Sequence, residues 1–162
     1  MVTVDVSGDD PADEVTFMLA ANPGLPAAPL AKVASGGELS RTMLAIRMVL
    51  TSGPPVLVFD EVDAGIGGTA ATALAEALRR LGESHQVLVV THLAQVAAVA
   101  TTHVRVDKNV VARAGAEITV TTADIVSGRD RVEEVARMLS GDASSPAARR
   151  HAEELLGKRP RR

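Results

Sequence analysis

The sequence predicts an α/β fold built on a largely parallel sheet flanked by helices, and three observations predict it. Two short apolar runs, Val56-Leu57-Val58-Phe59 and Val87-Leu88-Val89-Val90, have the length and composition of strands buried on both faces. Helical patterns separate them, so residues 56 to 106 read strand, helix, strand, helix, strand, the order of parallel β-α-β units. Both runs end in polar residues, Asp60-Glu61 and Thr91-His92, and open α/β sheets hold their ligands outside the carboxyl ends of strands.

The other elements follow in chain order. Val2, Val4 and Val6 alternate with Thr3 and Asp5, as in a half-buried strand; after the turn-forming Ser7 to Pro11, Val15 to Ala20 makes a second, giving a short N-terminal β-hairpin. Asn22 to Pro29 holds three prolines and a glycine and is expected to be a loop. Leu39 to Leu50 reads as a helix stopped by Gly53-Pro54-Pro55. Thr69 to Leu81 is a second, with Leu74, Leu78 and Leu81 on one face, Thr69 as N-cap and Gly82 as stop. Leu93 to Ala100 is a short helix, Val104 to Val106 a third strand of the parallel set, and Ile118 to Thr121 an edge strand. Arg129 to Leu139 carries Val132, Val135, Ala136 and Leu139 on one helical face. Ser145-Pro146, a cap and a first-turn proline, opens a last helix to Leu156. Residues 1–157 are expected to form one lobe, and residues 158–162 a basic tail.

Composition removes several function classes. A chain of 162 residues, 46% hydrophobic and 23% charged, is rich enough in apolar side chains to bury a core. It has no cysteine, so disulfide scaffolds, thiolate metal sites and cysteine nucleophiles are excluded. A net charge of −3 argues against binding nucleic acid through the whole surface. Phe17 and Phe59 are the only aromatics, which argues against base-stacking platforms of the kind used on single strands. No apolar run reaches membrane-spanning length, so a cytoplasmic protein is expected, with no membrane partner.

Three segments carry the chemistry. Ser35-Gly36-Gly37-Glu38 stands directly before a helix, where glycines let the backbone approach a ligand and helix-start N–H groups attract anions; a plain capped helix start, with Ser35 or Ser40 as cap, is the alternative. Asp60 suits Mg²⁺, which prefers oxygen ligands and keeps its waters, and Glu61 is placed to polarise a water. His92 ends the second run; His85, His103 and His151 have no such setting and read as structural. One intervening helix each time returns adjacent parallel strands to the same edge, so the three segments are expected to converge.

In that order the segments resemble the ATP-binding-cassette (ABC) ATPases. Ser35-Gly36-Gly37-Glu38 looks like their signature motif, Val56 to Glu61 like Walker B, Glu61 to Gly65 like Walker B running into the D-loop, and Thr91-His92 like the H-switch. Glu38 and Val62 stand where transporter ATPases usually carry Gln and Pro, as in the SMC-like, DNA-repair branch. Ala21-Asn22-Pro23-Gly24, Leu30 to Arg41, Phe59 to Asp63, Gln95-Val96-Ala97 and Ala136 to Gly141 are similar to that branch too. Ala94 and Gly67 depart from its pattern without touching a catalytic position.

The resemblance implies roles. Asp60 would orient Mg²⁺, Glu61 would be general base, and His92 would contact the γ-phosphate. Ser35, Gly36, Gly37 and Glu38 would meet the ATP held by a second head, and Asp63 would sit at the dimer interface and couple the two sites. It implies a role in DNA recombination and double-strand-break repair, acting on the nucleoid, with DNA engaged by the full-length assembly. No Gly-x-x-x-x-Gly-Lys-Ser/Thr occurs, so the P-loop lobe and coiled coil of such proteins are absent here, and the chain is expected to be the C-terminal lobe of a split head, inactive alone. Asp60-Glu61-Val62-Asp63 also reads as a DEAD-like helicase motif, which leaves Ser-Gly-Gly-Glu unexplained; a toprim metal site needs a different aspartate spacing. A non-enzymatic dimerisation or interaction module is the alternative from another class.

Overall fold

The computed structural model describes residues 2–8, 14–20, 24, 26–50, 53–113 and 116–157. Most of the Ser7–Pro11 turn, residues 22, 23 and 25 of the proline-rich stretch and the basic tail lie outside them. The chain divides into two compact units, residues 1–66 with 81–91, and residues 67–80 with 92–162.

In the first unit, β1 (Val2–Ser7) and β2 (Glu14–Leu19) form the expected antiparallel hairpin, and β3 (Ala28–Pro29) adds to its edge. The register pairs Val4 with Phe17 and Val6 with Val15, so alternation places four apolar side chains on one face, and all four are exposed. α1 (Leu30–Val33) is a single turn that no periodicity could reveal. α2 (Gly36–Val49) starts three residues earlier than its apolar pattern suggests, taking both glycines into the first turn.

β4 (Val56–Phe59) and β5 (Gln86–Val89) pair in parallel, Leu57 with Val87 and Phe59 with Val89. Val90 N–H donates to the Phe59 carbonyl at 3.0 Å, carrying the pairing past the strand end. The expectation that these strands are buried on both faces is corrected. Leu57 and Phe59 are buried, whereas Val58 is 69% and Val90 63% exposed, with Val56 and Leu88 beside them. A pleated strand sends alternate side chains to opposite faces, and among the described residues only one face of this pair is covered.

The second unit contains α3 (Gly68–Leu81) up to Arg80, α4 (Ala94–Val99), β6 (His103–Arg113), β7 (Ala116–Val126), α5 (Gly128–Ser140) and α6 (Pro146–Gly157). Leu74, Leu78 and Leu81 of α3 are buried as their spacing predicts. Thr69 lies inside the helix and not at its cap, because the helix already begins at Gly68.

A second correction concerns the sheet. Val104 to Val106 is not a third parallel strand: it opens β6, which pairs antiparallel with β7 through eleven residue pairs from His103↔Val126 to Arg113↔Ala116. Ile118 to Thr121 lies in the first half of β7, an antiparallel strand as expected, but one that runs on to Val126. Parallel pairing among the described residues is therefore confined to β4 and β5. α4, α5 and α6 close on Ala94, Val135, Ala136, Ala148 and Ala152. Alanines let helices approach closely, and Val135, fully buried, contributes about 1.5–3 kcal/mol. Gly141 ends α5 at φ 76°, a left-handed conformation that glycine adopts without a Cβ clash.

Candidate functional site

The site is built in the first unit, where α2 meets the turn after β4. Ser35 is the N-cap of α2: its hydroxyl oxygen accepts from Glu38 N–H at 3.3 Å, while Ser35 N–H donates to Glu38 Oε2 at 2.9 Å. This is a complete capping box, and the Ser35 hydroxyl also donates to Glu38 Oε2 at 3.0 Å. The Ser35 backbone bond first, then the Ser35 hydroxyl and the Arg41 charge, hold the Glu38 carboxyl below the usual carboxylate range. The Glu38 carboxylate thus faces Ser35 of its own chain.

The turn begins at Asp60, which is exposed at the carboxyl end of β4 and accepts from Glu61 N–H through Oδ1 at 2.9 Å. Glu61 has φ 54°, left-handed backbone that costs a non-glycine residue about 1–3 kcal/mol. Its carbonyl accepts from Ala64 N–H at 3.0 Å, closing the turn.

α2 lies directly on this turn. A Cβ at Gly36 would overlap Glu61 Oε2. A Cβ at Gly37 would stand 2.9 Å from Ala64 Cβ and 3.0 Å from the Glu61 carbonyl oxygen, so only glycine fits. The Ser40 hydroxyl donates to the Asp60 carbonyl at 2.7 Å. Arg41 Nη1 donates to the carbonyls of Val62 at 3.2 Å and Ala64 at 2.8 Å. The motifs alone do not point to Ser40 and Arg41, but helical spacing does: Gly37, Ser40, Arg41 and Leu44 fall at i, i+3, i+4 and i+7, on one helical face, and Gly37 and Leu44 are buried.

Asp63, which the resemblance assigns to a dimer interface, is 3% exposed in the chain and accepts a hydrogen bond from Thr91 Oγ1 at 2.5 Å. The structure thus brings Gly36, Gly37, Ser40 and Arg41 onto Asp60–Ala64, and Asp63 onto Thr91, while Ser35 and Glu38 bond each other at the start of the same helix. His92 follows Thr91 in sequence, is exposed, and belongs to the second unit.

The donor set suits a phosphate ligand with a divalent cation. Mg²⁺ bound to phosphates needs only one or two protein carboxylates, and Asp60 at an open strand end can supply one. Among the described residues, no three His, Asp or Glu side chains converge to hold a metal by themselves. No described helix is long and apolar enough to cross a membrane.

No family model matches the sequence. The fold is shared with a solved SMC ATPase chain. A chain solved in a study of the ATP-driven dimerization and DNA-stimulated activation of SMC ATPases superposes with a TM-score of 0.51, over 86% of this chain and 82% of that one, at 15% identity. The sequence narrows the class. It is 53% identical over 154 residues to the DNA repair protein RecN of Treponema pallidum, 55% over 143 residues to that of Deinococcus radiodurans, and 50% over 151 residues to that of Streptomyces coelicolor. These alignments cover 93%, 88% and 92% of this chain. The chain belongs with the RecN proteins, and it spans about a quarter of the length of the curated relatives it matches.

Proposed function

We propose that the chain is the signature-bearing lobe of an ATP-hydrolysing head in a RecN-like protein of DNA double-strand-break repair and recombination, working in the cytoplasm on the nucleoid. One observation carries this reading: the Ser-Gly-Gly-Glu helix start and the Asp-Glu turn are held together through Gly37, Ser40 and Arg41. A helicase or a toprim site gives no reason for that joint.

In this reading Asp60 orients Mg²⁺ and its waters, and Glu61 takes the proton of the attacking water. His92 contacts the γ-phosphate. Ser35 and Gly37, with the positive end of α2, stabilise negative charge on the ATP held by a second head. Mg²⁺, when bound, supplies charge neutralisation at the phosphates. Glu38 accompanies the site as the capping partner of Ser35. Asp63 couples the sites through Thr91 and the turn. The exposed apolar face of β4 and β5, and that of β1 and β2, support a partner that covers them, a P-loop lobe. DNA is engaged by the full assembly.

In a complete head, this lobe joined to a P-loop lobe, Glu61→Gln keeps the shape but removes the basicity. ATP binding should survive while turnover falls by about 10² or more, and an ATP-stabilised dimer should accumulate. Near-normal turnover would remove Glu61 as the base. The chain alone should not hydrolyse ATP; a Mg²⁺-dependent rate from it would overturn the split-head reading. A second reading is favoured by the approach of Glu61 to Gly36 within one chain: both motifs serving one nucleotide in cis. Subunit mixing separates the two.

A further inference from the structure

Resting on the ATPase reading, we infer that Arg41 is a positioning residue that ties the Ser35-Gly36-Gly37 helix start to the setting of Glu61. The two nucleotide sites that one lobe serves would thus be mechanically joined.

The contacts are specific. Ser40 and Arg41, adjacent on α2, hold the carbonyl oxygens of residues 60, 62 and 64, every second residue of the turn. Glu61 and Asp63 lie between these anchored carbonyls, so the direction of both carboxylates depends on where α2 stands. Arg41 Nη1 bridges Val62 and Ala64, a two-acceptor grip that a planar guanidinium makes and a lysine ammonium reproduces only in part. There is no slack in the joint, because Gly37 brings the α2 backbone against the Glu61 carbonyl and Ala64. Glu61 is held at φ 54°, a conformation that persists only where its surroundings impose it. A phosphate drawn to the start of α2 therefore acts on a helix whose next turn grips the backbone on both sides of Asp63.

Arg41 touches no reacting atom in this reading, so its effect must pass through Glu61. The experiment uses a complete head carrying Arg41→Ala, Arg41→Lys, Glu61→Gln and the Arg41→Ala/Glu61→Gln pair, with ATP affinity and turnover measured separately. Arg41→Ala is expected to lower kcat tenfold or more while ATP Kd stays within about twofold. Arg41→Lys is expected to recover part of the loss. On the Glu61→Gln background Arg41→Ala should lower turnover no further, the non-additivity of two residues acting as one unit. Wild-type kcat in Arg41→Ala overturns the inference, and so do full additivity with Glu61→Gln or an equal fall in affinity and turnover. If Arg41→Ala does not fold, Arg41→Lys decides in the same way, by its kcat against Kd and its coupling to Glu61→Gln. A wild-type head without ATPase activity would instead overturn the functional reading itself.

Discussion

The Thr91 hydroxyl donates to the buried carboxylate of Asp63, joining the end of β5 to the turn that follows β4. A carboxylate that is 3% exposed depends on its donors, because burial strips it of water. Thr91→Val keeps the shape and removes this donor. It should destabilise the isolated chain by about 1–3 kcal/mol, read as a lower midpoint in urea unfolding at unchanged slope. An unchanged midpoint would show that this bond contributes nothing to holding the turn.

The two signature glycines should part company on substitution. At Gly37 a methyl group meets Ala64 Cβ and the Glu61 backbone, which cannot yield cheaply, so Gly37→Ala should cost about 1–3 kcal/mol. At Gly36 the obstacle is the end of the Glu61 side chain, which can swing aside. Gly36→Ala should fold normally and lose turnover in a complete head. Thermal melts of both variants check the contrast; equal destabilisation would contradict the geometry.

Mixing tests the trans assignment. A full-length protein carrying Ser35→Arg and another carrying Glu61→Gln each form dimers with two defective sites. With random pairing about half the dimers are mixed and half of their sites are whole, so activity should return to roughly a quarter of wild type. If Ser35 and Glu61 serve one nucleotide in cis, every site carries one defect and nothing returns. Titrating either variant into wild type shows whether the two sites fire only together.

Acid should act on the second unit through His103. Burial, and then the Arg131 charge, push its pKa below the ordinary histidine value, against the opposing pull of Glu134. The folded chain therefore keeps it neutral, while the unfolded chain takes up a proton near pH 6.5. Stability should be full above that pH and fall as pH drops below it. Glu38 and Asp142, both lowered, contribute above their unfolded values near 4.5 and 3.8 and lose that contribution only as pH falls through their folded ones. Denaturation midpoints between pH 7 and 5 should thus decline in wild type and flatten in His103→Gln.

Much of this was readable in advance, for physical reasons that differ by element. β4, β5 and α3 announce themselves because apolar runs and leucine spacing are local properties. The grip of Arg41 on the turn is not local: it spans 21 and 23 positions, and an arginine on a helix face usually means solvent. The hairpin of β6 and β7 is longer than its local pattern because Lys108 interrupts the alternation of Val104, Val106 and Val110, so only the start of β6 reads as a strand. A continuous apolar run predicts double burial, yet Val56 and Val58 are exposed, since the run records what a strand can be covered by and not what covers it here. Asp63 was legible as a motif position but not in its direction, which Thr91, 28 residues away, decides.

α4 has six residues, too few for a helix to persist on its own in water. Its last carbonyls are met by one side chain: Arg131 of α5 donates through Nη2 to Ala97 at 3.0 Å and to Ala100 at 2.7 Å. The shape of this segment is therefore conditional on a helix more than thirty residues downstream. α4 should be unable to form during synthesis until α5 has emerged, and its amides should exchange with solvent at the pace of α5 and not at the pace of a frayed end. A single guanidinium thus sets the order in which this part of the polypeptide acquires its shape.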